Sequence, residues 1–115
     1  MQRDIRKYLT DIAIHIDYID IFLGGNRDFK IYEKDLATQY AVERALGIIG
    51  EAVNQLRKTD ATINISGMNH IVGLRNILIH AYDSINNAIV WSVIVNHLPV
   101  LKMEVTALLE ELESK

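Results

Sequence analysis

The chain of 115 residues contains no cysteine, which excludes disulfide bonds and thiolate metal sites. It has one proline and six glycines, so few positions interrupt a helix. No apolar run approaches the roughly 20 residues that cross a bilayer, and the charged opening residues lack the apolar core of a signal peptide. These absences predict one soluble domain over residues 1–115, with a cytoplasmic location and no membrane partner.

The charge balance gives no sign of a nucleic-acid partner. Twelve basic residues stand against fifteen acidic ones, a formal net charge of −3, whereas phosphate binding usually shows as a basic surplus. An RNA-directed protein with this composition would need a locally positive cleft on an acidic body.

Hydrophobic periodicity predicts an all-α bundle of four or five helices. Apolar residues recur at steps of three and four, the spacing of one buried helix face. In the first two long segments these residues are Ile5, Leu9, Ile12, Ile16, Ile19 and Leu23, and Val42, Leu46, Ile49, Val53 and Leu56. The predicted helices cover about 3–23, 35–58, 67–82, 87–98 and 99 onward. Ser66 and Asn86 are predicted N-caps, and Pro99 suits a first helical turn. The segment 88–98 is apolar nearly all round, which predicts the central and most buried helix.

Two glycines, Gly47 and Gly50, lie inside the second predicted helix. A glycine in a helix interior costs about 1 kcal/mol relative to alanine. Such residues either allow another helix to cross closely or are tolerated as small residues. The sequence leaves both explanations open.

The predicted helix 67–82 carries its polar side chains in one arc. On a wheel of about 100° per residue with Arg75 at zero, Tyr82 lies at about −20° and Asp83 at about 80°. Asn76 lies at about 100° and His80 at about 140° on the same wheel. The side chains of Arg75 and His80 therefore point about 140° apart and cannot both contact one small group from a single straight helix. Two copies facing each other across a two-fold axis could combine them, which favours a dimeric site.

These residue types fit metal-free cleavage of RNA. Arg75 could neutralise charge on a phosphate, and His80 could activate a ribose 2′-OH or protonate the leaving oxygen. Asn76 could orient the imidazole or a phosphate oxygen, and Tyr82 offers a stacking ring or a hydroxyl for modification. On spacing alone, however, an arginine, a histidine and a tyrosine on a helix are more often solvated surface residues than parts of a catalytic site.

Other motifs of chemistry are missing. His15, His70 and His97 are isolated in the sequence, and no HExxH or HxxxH pattern predicts a metal site. No GxxxxGK[ST] loop and no GxGxxG motif occurs, so no cofactor is predicted.

The string RNILIHAY, at residues 75–82, resembles the Arg-x4–6-His signature of HEPN domains. Its Arg-Asn-x3-His-x-Tyr form is similar to the HepT toxin branch of that family. RALGIIGEA at 44–52 and IVGL at 71–74 resemble the same branch, as do Val90-Trp91 and Leu98-Pro99. The combined pattern covers most of the chain and is more specific than the arginine–histidine spacing.

The resemblance implies a helical HEPN bundle that dimerises around a shared cleft. It implies a metal-independent ribonuclease toxin with Arg75 and His80 as the catalytic pair and Asn76 in support. It also implies a cognate antitoxin, an MntA-like nucleotidyltransferase that transfers AMP to Tyr82. Anionic AMP at that position would repel RNA.

Two acidic residues are possible supports of the cleft, and other functions stay open. Glu51 and Asp83 could face the cleft. For Glu51, a position on the solvated face of its helix is equally possible. For Glu43, the solvated face is favoured. The alternative function is a non-catalytic nucleotide-binding or adaptor subunit of a nucleotidyltransferase complex, which fits the acidic charge. A purely structural helical dimer is the third possibility.

Overall fold

Every secondary-structure element in the described residues is a helix, as predicted. The computed structural model describes residues 2–25 and 27–114, apart from the side chains of Gln2 and Tyr82. The elements are α1 (Gln2–Leu23), α2 (Phe29–Lys34), α3 (Leu36–Thr59), α4 (Met68–His80), a 3₁₀ turn (Tyr82–Ser84), α5 (Asn87–Asn96) and α6 (Leu98–Glu113). Within these ranges no single helix is long and apolar enough to cross a membrane. Only α5 and α6 together, bent by 43°, reach that length and composition.

The central helix is α3, not the apolar segment 88–98. Helix α3 packs between α1 and α4 and buries nine residues, while α6 packs on α1 and α5 contacts α6. Within α5, by contrast, only Val90, Val93 and Ile94 are buried, and about half of the Ile89 surface is exposed. The prediction for this segment is wrong because an apolar composition does not reveal which helix faces have neighbours.

The core consists of the apolar stripes that the periodicity predicts. In α1 and α3 every residue of the predicted stripe is buried: Ile5, Leu9, Ile12, Ile16, Ile19, Leu23, Val42, Leu46, Ile49, Val53 and Leu56. Burying one such side chain contributes about 1.5–3 kcal/mol relative to leaving it in water. The bundle measures 46 × 29 × 19 Å, so it is about two helix diameters thick.

The predicted N-cap at Asn86 is confirmed, whereas the predicted N-cap at Ser66 is wrong. Gly24 and Gly25, at φ 62° and 77°, end α1, and the Asn86 side chain accepts from the backbone N–H of Ala88 at 2.8 Å. The N-cap of α4 is Gly67 instead of the predicted Ser66. Ser66 donates from its backbone N–H and its hydroxyl to the Glu104 carboxylate of α6, at 3.1 and 2.9 Å. A long-range partner thus replaces the local cap.

The short helix α2 was not predicted, because six residues are too few to show a helical period. Gln39 of α3 holds its end by donating from Nε2 to the carbonyls of Tyr32 and Glu33, at 2.9 and 3.0 Å. The Tyr32 ring packs on Trp91 of α5 with ring centroids 5.2 Å apart. Helix α2 therefore ties α3 to α5.

Candidate functional site

The site begins where α3 and α4 cross at Gly50. A Cβ at this position would lie 2.3 Å from Cβ of Arg75 and 3.3 Å from the carbonyl oxygen of Ile71. The same construction at Gly47 meets no atom within 4 Å. Gly50 therefore permits a close helix crossing, whereas Gly47 lies in open space.

The crossing places Arg75 beside a carboxylate. Its Nη2 lies 2.5 Å from Oε2 of Glu51 on α3, and its Nη1 donates to Oδ1 of Asn76 at 2.9 Å. The other Glu51 oxygen accepts from Nε2 of Gln55 at 2.9 Å. Of the two possibilities for Glu51, the structure favours contact with Arg75 over simple solvation. Asn76 binds the guanidinium and not the His80 ring.

The guanidinium of Arg75 is only partly satisfied. Its side chain is 21% exposed, and its buried Nε has no hydrogen-bond partner among the described residues. The contact with Oε2 of Glu51 is an ion pair without hydrogen-bond geometry. A buried donor costs about 1–3 kcal/mol unless a partner satisfies it, and a phosphate oxygen is one partner that a guanidinium accepts.

A groove of about 450 Å³ opens beside this ion pair, between α3 and α4. Arg75, Glu51 and Gly47 line it, together with Arg44, which adds a second cation. Burial raises the pKa of the Glu43 carboxyl in the same wall. His80 and Asn76 do not line this groove.

His80 lies on another side of the same helix. It is the last residue of α4 and is exposed to solvent. Helix geometry puts it about 7.5 Å along the axis from Arg75 and about 140° around it. One copy of the chain therefore does not direct both residues into one groove. Asp83 is exposed in the 3₁₀ turn beyond.

The prediction that α4 continues to residue 82 is wrong, because the helix ends at His80 and Ala81 leaves helical geometry at φ −143°, ψ 47°. The alignment of Tyr82 with Arg75 that the wheel gave therefore does not follow from the helix. The backbone of Tyr82 begins the 3₁₀ turn, and its side chain lies outside the described residues. The wheel angle of Asp83 fails for the same reason.

One pair of histidines, treated as isolated in the sequence, is brought together by the fold. His70 of α4 and His97, between α5 and α6, stack with ring centroids 4.7 Å apart and planes 24° apart. No spacing rule could have found this pair, because the contact is tertiary. Among the described residues no group of three or more histidine, aspartate or glutamate side chains is placed to hold a metal ion.

Comparison with known proteins identifies the family. Residues 5–108 match the family model described as "Ribonuclease HepT-like", and the chain belongs to this family. "Putative RNase MJ0125" of Methanocaldococcus jannaschii is 32% identical over 99% of this chain and 98% of its own length. "Probable ribonuclease HepT" of Thermococcus cleftensis is 33% identical, over 89% of this chain and 93% of its own. No solved structure gives a significant match.

The family assignment confirms the resemblance found in the sequence. The helical fold agrees with a HEPN-type bundle. Membership of the HepT-like family also supports the prediction that the protein is a ribonuclease. The residues that match the signature, Arg75, Asn76 and His80, all lie on α4.

Proposed function

We propose that this chain is a metal-independent endoribonuclease toxin whose active site is shared by the α4 helices of two copies. The observation that carries the proposal is the separation of Arg75 and His80 on α4. Arg75 lies in the α3–α4 groove, whereas His80 is exposed on a different side of the helix. Arg75 of one copy and His80 of another can meet at one phosphate if the two helices face each other.

The chemistry needs only these side chains and water. Nε2 or Nδ1 of His80 takes the proton of a ribose 2′-OH, and the 2′ oxygen attacks the adjacent phosphorus. The bond from phosphorus to the 5′ oxygen breaks, and the leaving oxygen takes a proton from water. The resulting hydroxide takes back the proton that His80 holds, which restores the neutral imidazole. Arg75 neutralises the charge that develops on the phosphate, and Asn76 holds the guanidinium. The products are a 2′,3′-cyclic phosphate and a 5′-hydroxyl.

The distribution of charge is compatible with an RNA substrate. Residues 61–103, which include α4 and α5, contain one acidic residue, Asp83, beside Arg75 and Lys102. The other fourteen acidic residues lie outside this segment. Along the chain, the neighbourhood of His80 is therefore much less acidic than the rest of the sequence.

A nucleotidyltransferase antitoxin is the partner that we propose for this toxin. The Tyr82 oxygen would attack the α-phosphorus of ATP, releasing pyrophosphate and a proton and leaving AMP on the tyrosine. Tyr82 follows His80 by two residues, so the added phosphate would repel RNA next to the catalytic histidine. The acidic net charge favours a second candidate, an adaptor subunit of a nucleotidyltransferase complex that cleaves nothing.

Mixed variants test the shared site. Purified protein without metal should cleave RNA to 2′,3′-cyclic ends, and Arg75→Ala and His80→Ala should each abolish cleavage while the helical dimer persists. An equal mixture, reassembled after unfolding, should recover about a quarter of wild-type activity, because half of the dimers then hold one intact site.

The matched control is His15→Ala on α1, which should cleave normally. Full activity of His80→Ala would refute the catalytic role of that histidine. No recovery in the mixture would refute the shared site. No cleavage by wild type of verified unmodified mass would favour the adaptor.

A further inference from the structure

The stacked histidines His70 and His97 are held in a fixed arrangement at one end of α4. A Cβ at Gly67 would lie 2.7 Å from Nδ1 of His97, so the ring occupies space that only a glycine leaves free. Gly67 also has φ +71°, which disfavours any other residue. His97 is partly buried, while His70 is exposed. The pair therefore presents an imidazole ring to solvent on a rigid base.

Two grooves meet at this pair. A groove of about 640 Å³ is lined by Arg57 and the amides Asn64 and Asn69 in addition to the two histidines. A second groove of about 380 Å³, between α4 and α5, has mainly apolar walls that include Leu74, Ile77, Ile89 and Val93. An apolar wall beside an aromatic ring suits the face of a nucleobase. A guanidinium and amide groups suit phosphate and base edges.

Neither groove is lined by a carboxylate within the part of the chain that the structure describes. The chain as a whole carries fifteen acidic residues, so this surface differs from the rest of the protein. An anionic ligand would therefore meet no negative charge along these walls.

We infer that His70 and His97 form a platform on which one unpaired base of the RNA stacks, with Arg57 contacting a neighbouring phosphate. This inference rests on the proposed function, since it concerns the substrate of the same enzyme. His70 precedes His80 by ten residues on α4, a distance of about 15 Å along the helix axis. A strand cleaved at His80 can therefore reach the platform within a few nucleotides. The platform would give the enzyme a preference for single-stranded RNA with an unpaired flank.

Binding to a cleavage-dead protein tests the platform separately from catalysis. In a His80→Ala background, fluorescence anisotropy measures the affinity for a labelled single-stranded RNA oligonucleotide and for a labelled dinucleotide. Adding His70→Ala should weaken oligonucleotide binding about tenfold, the effect of losing about 1.4 kcal/mol of stacking. Dinucleotide binding should not change. His70→Tyr, which keeps an aromatic ring, should restore oligonucleotide affinity, and His15→Ala is the matched control.

The role of Arg57 is tested by salt dependence. Arg57→Gln should lower the slope of log affinity against log salt by about 0.7, the value for one phosphate contact with a single strand. Lys58→Gln, at the next position and outside the groove lining, is the control and should leave the slope nearly unchanged.

The outcomes separate the platform from the nuclease. Unchanged oligonucleotide affinity in the His70→Ala protein, with wild-type cleavage intact, would overturn the platform alone. Free AMP binding as tightly as the oligonucleotide would overturn the assignment to an RNA strand. If oligonucleotide binding depends on His70 but the wild-type protein, with His80 intact, cleaves no RNA, the result would overturn the proposed function and support the platform.

Discussion

Two alanine substitutions on α3 test the helix crossing that places Arg75. Gly47 and Gly50 both lie in the interior of α3, so alanine gains the same helix propensity at each, about 1 kcal/mol. At Gly50 the new Cβ would lie 2.3 Å from Cβ of Arg75, an atom fixed to the α4 backbone that no rotamer change can move. Overpacking of this kind costs about 1–3 kcal/mol. The propensity gain cancels in the comparison and leaves the steric cost.

Gly47→Ala is therefore expected to raise the free energy of unfolding by about 1 kcal/mol. Gly50→Ala should be less stable than Gly47→Ala by about 1–3 kcal/mol, or roughly 4 °C of melting temperature per kcal/mol. Urea unfolding followed by circular dichroism measures both, provided that the slopes agree with wild type. RNA cleavage should fall more in Gly50→Ala than in Gly47→Ala, because only the Gly50 substitution requires α4 to move. Equal stabilisation by the two alanines would refute the close crossing.

Three further substitutions test the site and the fold. Glu51→Gln removes the charge partner of Arg75 and should lower kcat about tenfold, a loss of about 1.4 kcal/mol, with little change in KM. Burial raises the pKa of Glu43, so its carboxylate destabilises the folded state increasingly as pH rises through the folded and unfolded pKa values. Glu43→Gln should therefore stabilise the protein at neutral pH and lose this effect below the ordinary carboxyl pKa, as measured by urea unfolding at both pH values. Asn86→Ala removes the N-cap of α5 and should cost about 0.5–2 kcal/mol in the same assay.

Each of these expectations has a contrary result. Unchanged kcat in Glu51→Gln would show that the ion pair does not position Arg75. Glu110→Gln, at an exposed carboxylate, is the matched control for Glu43→Gln. If Glu43→Gln changes the free energy of unfolding by the same amount at both pH values, the burial argument is contradicted. A loss of only a few tenths of a kcal/mol in Asn86→Ala would show that the cap hydrogen bonds contribute little.

Much of the fold could be predicted from the sequence, because helical periodicity and caps are local. The apolar stripes of α1 and α3 were predicted residue by residue, and so was the cap at Asn86. Ser66 was predicted wrongly because its partner, Glu104, lies on a distant helix. Helix α2 was missed because six residues carry too little periodic signal.

The candidate site divides in the same way. A signature on one helix determined which residues to consider, and family membership agrees with it. The sequence could not decide between the two explanations for Gly50 or for Glu51, because each depends on what α4 brings opposite α3. The end of α4 at His80 was also not predicted, because a helical wheel assumes that the helix continues.

The sequence alone therefore determined the helical class, the core stripes and the identity of the residues on α4, because these follow from local periodicity and a contiguous motif. Only the tertiary structure decided that α3 is central, that Glu51 meets Arg75 and that His70 stacks on His97. Contacts of this kind join residues far apart in the chain, and their geometry depends on how all the helices pack together.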